Sequence, residues 1–243
     1  MRIITVPCLK DNYAYLIAAG DSCAVVDPSE PGPVVAALDR EGLKLTHILN
    51  THHHNDHTGG NMALKERYGA LVVGAEYDRH RIPGLHIGVS EKTGWDFAGH
   101  AVQVLEVPAH TRGAITFVID GNAFTGDTLF VMGCGRLFEG DAAMMAASLA
   151  KLKALPDETK IWCGHEYAAS NGRFALTLEP GNAALQARMK NFRTPSVPAT
   201  LAEEKATNPF LRADSREIRK TLGMENADTV SVFAEIRSRK DVF

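Results

Sequence analysis

The chain has 243 residues, of which 45% are hydrophobic and 23% charged, as in an ordinary globular protein. This composition excludes a disordered, collagenous or disulfide-stapled chain, and no apolar run approaches the roughly 18 residues that a membrane span needs. The formal net charge of −3 argues against a nucleic-acid binder, which usually carries a basic excess or stripe. Four widely spaced cysteines, with no export signal over Met1–Leu9, favour reduced thiols. We therefore expect a cytoplasmic protein that binds neither nucleic acid nor a membrane.

The first half of the chain has the pattern of short β-strands separated by turns. Segments rich in Ile, Val and Tyr predict an antiparallel meander over Arg2–Pro7, Tyr13–Ala18 and Cys23–Asp27. Helices are predicted over Pro33–Arg40, with Gly42 as its stop signal, and over Gly60–Tyr68. The remaining predicted strands of this half are Leu45–Asn50, Ala70–Val73, Val102–Val107, Ile115–Ile119 and Ala123–Thr125.

The second half begins with a helix and ends in a helical region. Asp141 is placed to cap a helix that reaches Ala154, and Lys160–Cys163 is the last predicted strand. Beyond about residue 168, helices are predicted over Ala183–Asn191, Leu201–Ala206, Ser215–Leu222 and Thr229–Arg239. We therefore expect a mixed α/β domain over residues 1–168 and a small all-α domain over residues 169–243, without a strand in the latter.

Half of the ten histidines fall within 11 residues. Residues i and i+2 face the same way only on an extended chain. His52 and His54 therefore converge if the chain stays extended beyond the Leu45–Asn50 strand. Asp56 and His57 follow where a turn begins. Imidazole and carboxylate ligands without a cysteine suit Zn²⁺, Fe²⁺ or Mn²⁺ in an open, catalytic site.

Three further candidate ligands each follow an apolar strand and lie next to Gly, Pro or Thr, namely His110, Asp127 and His165. Loops at strand ends commonly present functional side chains. One metal needs three or four protein ligands, whereas seven candidates with a carboxylate able to bridge suit two metals about 3.5–4 Å apart. The seven are His52, His54, Asp56, His57, His110, Asp127 and His165.

The pattern His-x-His-x-Asp-His, followed by a distant His, Asp and His, resembles the metallo-β-lactamase superfamily. Within it, the chain resembles the glyoxalase II (hydroxyacylglutathione hydrolase) family over Thr51–His54, Gly133–Gly140, Cys163–Tyr167 and Arg237–Phe243. The resemblance covers essentially the whole chain. It implies an α/β fold, a four-layer αββα sandwich with the metals at one edge, followed by a small all-α domain that binds glutathione.

The resemblance also implies a role for each candidate residue. The first metal would be held by His52, His54 and His110, the second by Asp56, His57 and His165, and both by the bridging Asp127. The glutathione part of the substrate would be bound by Arg136, Tyr167, Arg237 and Lys240.

Three positions depart from the family pattern. Arg136 stands where Lys is common, Phe138 where Tyr is common, and Ala114 where many members carry a second His. Arg136 keeps the positive charge, but a planar guanidinium replaces the compact ammonium group of Lys. These departures affect substrate binding and leave the seven ligands unchanged.

The implied reaction hydrolyses the thioester of S-(2-hydroxyacyl)glutathione, usually S-D-lactoylglutathione, to glutathione and D-lactate, the second step of methylglyoxal detoxification. A water that bridges two divalent cations loses a proton near neutral pH and becomes the nucleophile. Asp56 could both ligate a metal and orient this nucleophile. Metals and nearby donors would stabilise the oxyanion. We expect two zinc ions, with iron or manganese as alternatives, in a monomer that acts on a small molecule.

Other readings stay open at this level. The same scaffold carries mononuclear-iron persulfide dioxygenases, lactonases, β-lactamases and metal-dependent RNA nucleases. The basic carboxyl-terminal segment favours an anionic tripeptide as the substrate, and the negative net charge argues against an RNA substrate. A protein that binds metal without turnover is a further alternative, because a fold does not guarantee chemistry. Structural or surface roles are expected for the remaining histidines and for two cysteines, namely His47, His53, His80, His86, His100, Cys134 and Cys163.

Overall fold

A computed structural model describes all residues from Met1 to Phe243. The strands are Arg2–Cys8 (β1), Asn12–Ala19 (β2), Ser22–Val26 (β3), Leu45–Asn50 (β4), Leu71–Ala75 (β5), Leu85–Val89 (β6), Trp95–Phe97 (β7), His100–Glu106 (β8), Ile115–Ile119 (β9), Asn122–Gly126 (β10), Leu129–Phe130 (β11), Gly133–Cys134 (β12), Lys160–Cys163 (β13) and Ala199–Thr200 (β14). The α-helices are Pro31–Glu41 (α1), Asn55–Thr58 (α2), Asn61–Tyr68 (α3), Ala142–Lys153 (α4), Ala168–Leu178 (α5), Ala183–Lys190 (α6), Leu201–Thr207 (α7), Arg216–Leu222 (α8) and Thr229–Val242 (α9). Short 3-10 helices span Glu76–Asp78 and Pro209–Leu211.

Two compact units divide the chain between them. The first unit comprises Met1–Glu106, Gly113–Asp120 and Phe124–Gly126. The second comprises Val107–Arg112, Gly121–Ala123 and Asp127–Phe243. Strand β10 is thus divided between the units. None of the helices combines the length and the apolar character that a bilayer-spanning helix requires.

In the first unit, strands β1 to β6 form a sheet in sequence order. The first three strands are antiparallel, with Ile4 opposite Leu16 and Tyr15 opposite Val26, which confirms the predicted meander. The next pairs are parallel, with Val26 opposite Leu49. Parallel neighbours end at the same edge of a sheet, so the residues that follow β3 and β4 emerge side by side.

The core of this unit lies between one face of the sheet and helices α1 and α3. Leu16 of β2, Leu38 of α1 and Leu64 of α3 are fully buried members of one apolar cluster. Helix α1 begins at a proline, where the missing N–H costs nothing, and ends at Gly42 with φ of 64°. The other face of β2 points the opposite way, and the Tyr15 ring lies 5.7 Å from the Phe124 ring of β10.

A second group of strands in the first unit follows the order β10-β9-β8-β7. Strands β7 and β8 pair as a tight antiparallel hairpin, with Phe97 opposite His100. Strands β8 and β9 are also antiparallel, with Glu106 opposite Ile115. This pairing holds the chain on both sides of the loop that carries His110.

The second unit contains helices α4 to α9 and strands β11 to β14. Asp141 caps α4, because its side chain accepts a hydrogen bond from the Met144 N–H, as the sequence predicted. Helix α7 begins with a capping box formed by Thr200 and Glu203. Strand β13 pairs with β14, with Ile161 opposite Ala199. The helical character predicted beyond residue 168 is confirmed. The expectation of no strand there is wrong, because the two-residue strand β14 pairs with β13.

Other elements were not predicted, for identifiable reasons. Helix α5 contains Asn171 and Gly172, both poor helix formers, although Gly172 allows Met189 of α6 to approach where a Cβ would collide. Strands β6 and β7 are only partly buried, so they lack the continuous apolar run that marked the other strands. Strands β11 and β12 have two residues each, too few for any periodicity.

Candidate metal centre

The His52–His54 segment continues from the end of β4. His54 has extended backbone angles, φ −60° and ψ 144°, and forms the N-cap of α2. The Nε2 atom of His52 lies 3.2 Å from Nδ1 of His54, so the two imidazoles face the same side. The extended geometry that the i, i+2 spacing requires is therefore present.

Helix α2 then places Asp56 and His57. The His57 N–H donates to the His54 carbonyl at 2.9 Å, which closes the turn. Nε2 of His57 lies 3.6 Å from Oδ2 of Asp56. The Asn12 side-chain amide donates to both the Asp56 carbonyl, at 3.0 Å, and Oδ2, at 3.1 Å. Asn12 thus holds a carboxylate that is itself 42% exposed and open to a ligand.

Asp27 is a functional residue that the sequence reasoning missed. It follows β3 with φ of 47° and is buried. Its carboxylate accepts hydrogen bonds from the Thr51 N–H at 2.8 Å and the Thr51 hydroxyl at 2.6 Å. Its Oδ2 also lies 3.0 Å from Nδ1 of His57. A carboxylate behind a ligating imidazole fixes its tautomer and leaves Nε2 for the metal.

The second unit contributes His110, Asp127 and His165. Oδ2 of Asp127 lies 3.5 Å from Nε2 of His110 and 3.4 Å from Nε2 of His165. Nδ1 of His110 is 2.9 Å from the Arg136 carbonyl oxygen, which can only accept. His110 therefore carries its proton on Nδ1 and presents the Nε2 lone pair. One carboxylate between two imidazoles is an arrangement in which the carboxylate can bridge metals.

Within the first unit, Asp27, His52 and His57 form a group of three side chains whose potential ligand atoms lie within 4.8 Å of one another. These three side chains are buried, as are His110 and His165 of the second unit. Imidazoles and carboxylates in this number, without a thiolate, fit Zn²⁺, Fe²⁺ or Mn²⁺.

Cys163 lies two residues before His165 and is not placed as a ligand. Its thiol is directed to the His165 carbonyl oxygen at 3.4 Å, and burial raises its pKa to about 12. Burial likewise raises the pKa of Cys134 to about 12. Both thiols are therefore small buried groups rather than thiolates, as predicted.

The histidines assigned structural roles have other partners. Nδ1 of His53 lies 3.3 Å from the buried Asp78 carboxylate, and His53 belongs to none of the potential ligand groups. The His47 ring packs 5.5 Å from Phe97, and burial lowers its pKa. His100 pairs with Asp120 at 2.7 Å.

The residues implied to bind glutathione all lie in the second unit. Arg237 is buried. Its Nη1 donates to the Cys134 carbonyl at 2.9 Å, its Nη2 pairs with Asp241 at 2.8 Å, and its Nε has no hydrogen-bond partner. Arg136 is largely exposed and lies 3.9 Å from the same Asp241 carboxylate.

Lys240 and Tyr167 occupy partly apolar surroundings. Nζ of Lys240 lies 5.4 Å from the Phe174 ring and 5.2 Å from the Phe243 ring. Desolvation by burial, followed by the neighbouring arginines, lowers its pKa. Tyr167 stacks on His165, with ring centroids 4.8 Å apart and planes 5° from parallel. Tyr167 as a whole is 38% exposed.

Comparison with known proteins identifies relatives over the full length. The metallo-beta-lactamase superfamily model matches residues 10–94, and the model named Hydroxyacylglutathione hydrolase C-terminus matches residues 166–243. The Hydroxyacylglutathione hydrolase of Methylococcus capsulatus is 50% identical over 253 aligned positions, which cover 100% of this chain and 99% of the relative.

Solved structures of other proteins have a similar fold. ETHE1 from Myxococcus xanthus is 27% identical with a TM-score of 0.69, covering 100% of this chain and 99% of that one. TTHA1623, solved in a di-iron-bound form, is 27% identical with a TM-score of 0.64, covering 87% of this chain and 100% of that one.

The sheets, the His and Asp groups and these matches define an α/β protein of the metallo-β-lactamase superfamily with a helical carboxyl-terminal region, which confirms the predicted fold class. Within that superfamily, the chain belongs to the hydroxyacylglutathione hydrolase family, because full-length relatives of that name are about half identical to it.

Proposed function

We propose that the protein hydrolyses the thioester of S-(2-hydroxyacyl)glutathione, with S-D-lactoylglutathione as the main substrate, to glutathione and a 2-hydroxy acid. A metal centre alone does not distinguish this substrate from the others used by the superfamily. The observation that carries the proposal is Arg237, a buried guanidinium with an unsatisfied Nε. It lies within the stretch that matches the Hydroxyacylglutathione hydrolase C-terminus.

The seven predicted ligands are proposed to hold two divalent ions. His52, His54 and His110 would bind the first, Asp56, His57 and His165 the second, and Asp127 both. Support comes from the Asp127 carboxylate between His110 and His165 and from the related protein solved in a di-iron-bound form. The ligand types suit zinc, with iron and manganese as alternatives. When bound, the ions would activate a water as nucleophile and polarise the thioester carbonyl.

The chain's own residues position the reactants. Asp56 is the proposed catalytic residue: its partly exposed carboxylate, held by Asn12, would accept a hydrogen bond from the attacking water and orient it toward the acyl carbon. Asp27 keeps His57 in one tautomer, and the Arg136 carbonyl does the same for His110. Glutathione leaves as a thiolate, a much better leaving group than an amide nitrogen, so the reaction needs no general acid.

Glutathione carries two carboxylates and one ammonium group. Arg136, Arg237 and Lys240 would supply the opposing positive charge, through charge-assisted hydrogen bonds that are stronger than neutral ones. Tyr167, stacked on His165, would contact the peptide near the thioester. Asp241 already neutralises part of the charge on Arg237, and the remaining donors would recognise the substrate.

The organisation and location of the protein are further parts of the proposal. Residues 1–168 would form the metal-binding catalytic domain and residues 169–243 the glutathione-binding domain, which agrees with the family-model match from residue 166 onward. The protein would act as a cytoplasmic monomer on a small molecule, without a nucleic-acid or membrane partner.

The substrate class is tested by comparing two thioesters of the same acyl group. S-D-lactoylglutathione and the lactoyl thioester of N-acetylcysteamine share the reacting atoms, but only the first carries carboxylates. We expect kcat/KM to be at least 100-fold higher for the glutathione thioester, equivalent to about 2.7 kcal/mol. Equal values would reject glutathione recognition. No turnover of either, with oxygen consumed in the presence of glutathione persulfide, would favour the dioxygenase alternative.

A further inference from the structure

The segment between Asp127 and Arg136 forms a small hairpin, hereafter the 129–134 hairpin. Leu129 lies opposite Cys134, and Phe130 opposite Gly133, so Val131 and Met132 form the tip. Met132 has φ of 56°, a left-handed conformation that non-glycine residues seldom adopt. A two-stranded hairpin of this length is not stable alone, so other groups must hold it.

Three side chains from the helical region hold the backbone of the hairpin. The Glu204 carboxylate accepts from the Met132 N–H at 2.8 Å. The Asn171 amide donates to the Val131 carbonyl at 3.1 Å. The Asn208 amide donates to the carbonyls of Phe130 and Gly133, at 3.1 and 2.9 Å.

These three groups are buried, and two of them bond to each other. Glu204 and Asn208 have no exposed surface, and Asn171 is 4% exposed. Asn208 also donates to Glu204 at 2.9 Å, and Arg188 donates to the other Glu204 oxygen at 2.7 Å. A buried polar network of this kind specifies one arrangement when every member is paired, and removal of one member leaves a costly orphan. The network therefore favours a single conformation of the hairpin.

The end of the hairpin leads directly to the metal ligands of the second unit. Gly135 passes so close to the Asp127 carbonyl that a Cβ would collide with it. The next residue, Arg136, supplies the carbonyl that accepts from Nδ1 of His110. At the start of the hairpin, the Phe130 ring lies edge-on to His165 at 6.0 Å. A shift of the hairpin would therefore move the groups that orient these ligands.

We propose that Asn208 and Glu204 are positioning residues for the metal centre, because they fix the hairpin whose exit carbonyl orients His110. The inference rests on the proposed function only in taking His110 as a metal ligand. It assigns the helical region a second role beside glutathione binding, namely maintenance of metal-ligand geometry. Neither residue needs to touch the metal or the substrate.

The test compares Asn208→Ala with Asn182→Ala in the full chain. Asn182 is a matched control, since it caps α6, and its amide donates to the Ala206 carbonyl at 2.9 Å, without contacting the hairpin. Both variants should lose thermal stability. Affinity for Zn²⁺, measured by competition with a chromophoric chelator, should fall about 10- to 100-fold in Asn208→Ala, as for other groups that orient metal ligands, and stay within twofold in Asn182→Ala. The visible spectrum of the Co²⁺-substituted protein should change only in Asn208→Ala.

Glu204→Gln provides a second variant that keeps the size of the side chain. Its Zn²⁺ affinity should fall less than that of Asn208→Ala, because the amide oxygen can still accept from the Met132 N–H. Wild-type Zn²⁺ affinity and an unaltered Co²⁺ spectrum in a folded Asn208→Ala or Glu204→Gln protein would overturn the proposal. These measurements need no substrate. A wild-type protein that binds metal but hydrolyses no glutathione thioester would therefore refute the proposed function and leave this inference to be decided separately.

Discussion

Replacement of Asp27 by Asn perturbs the metal centre without removing a proposed ligand. Oδ1 of the new amide can still accept from the Thr51 N–H, as the carboxylate does at 2.8 Å. The amide nitrogen cannot accept from the Thr51 hydroxyl or from Nδ1 of His57, which now lie 2.6 and 3.0 Å from Oδ2. The variant therefore loses two acceptor contacts and the negative charge that favours a protonated Nδ1 on His57.

The size of the effect follows from those contacts. Hydrogen bonds to a charged group contribute about 1.5–3 kcal/mol each, so we expect the free energy of unfolding to fall by about 2–4 kcal/mol after partial relaxation. Loss of a carboxylate behind a ligating imidazole weakens metal binding about 10- to 100-fold, or about 1.4–2.7 kcal/mol. His57 would lose its fixed tautomer while remaining in place.

The assay is competition for Zn²⁺ against a chromophoric chelator, with urea unfolding of the metal-free protein measured in parallel. Glu179→Gln is the matched control, because Glu179 is a buried carboxylate that accepts from Arg212 at 2.8 Å and has no metal-ligand neighbour. The control should lose stability and keep its Zn²⁺ affinity. Equal Zn²⁺ affinity in Asp27→Asn and the wild type would refute the role assigned to Asp27.

Three further predictions concern substrate binding, alkaline stability and backbone packing. Arg237→Lys should raise KM for S-D-lactoylglutathione about tenfold with a smaller change in kcat, because the fork that donates to a carboxylate is lost; an unchanged KM would remove Arg237 from the binding site. Burial raises the pKa of Cys23 to about 12, so its thiol stays protonated when folded and ionises above about pH 9 when unfolded. Ionisation of the unfolded thiol therefore leaves the free energy of unfolding unchanged below that pH and lowers it above that pH. At about pH 10 the wild type should have lost about 1.4 kcal/mol more unfolding free energy than Cys23→Ala; the same pH dependence of stability in both proteins would contradict this. Gly135→Ala should lower metal occupancy because its Cβ meets the Asp127 backbone, whereas Gly32→Ala meets no atom within 4 Å and should match the wild type; full occupancy in both would contradict the packing argument.

Much of the first unit could be predicted because its strands are long, apolar and separated by clear turns. Strand β4 and the His52–His54 spacing together predicted convergent imidazoles, and the structure places those rings 4.8 Å apart. The 129–134 hairpin could not be predicted. Its strands have two residues each, and its stability comes from Asn208 and Glu204, more than 70 residues away along the chain.

Asp27 was within reach of sequence reasoning. It follows an apolar strand, as His110 and Asp127 do, and precedes a proline. The sequence pattern alone marks it only as the end of a strand, because it lies 25 residues before His52. The parallel pairing of β3 with β4 brings it there, and that pairing is a tertiary feature. The orientation of Arg237 was likewise beyond prediction, since its burial depends on the Cys134 carbonyl and on Asp241.

A metal titration of the purified, metal-free protein, with hydrolysis of S-D-lactoylglutathione followed by the release of free thiol, tests the proposed two-metal hydrolysis most directly. We expect no turnover without metal and a rise in rate that reaches its plateau at two equivalents of divalent ion per chain. A metal-free protein that hydrolyses the thioester at the full rate, or a folded protein with two bound ions that releases no glutathione, would refute the proposed function.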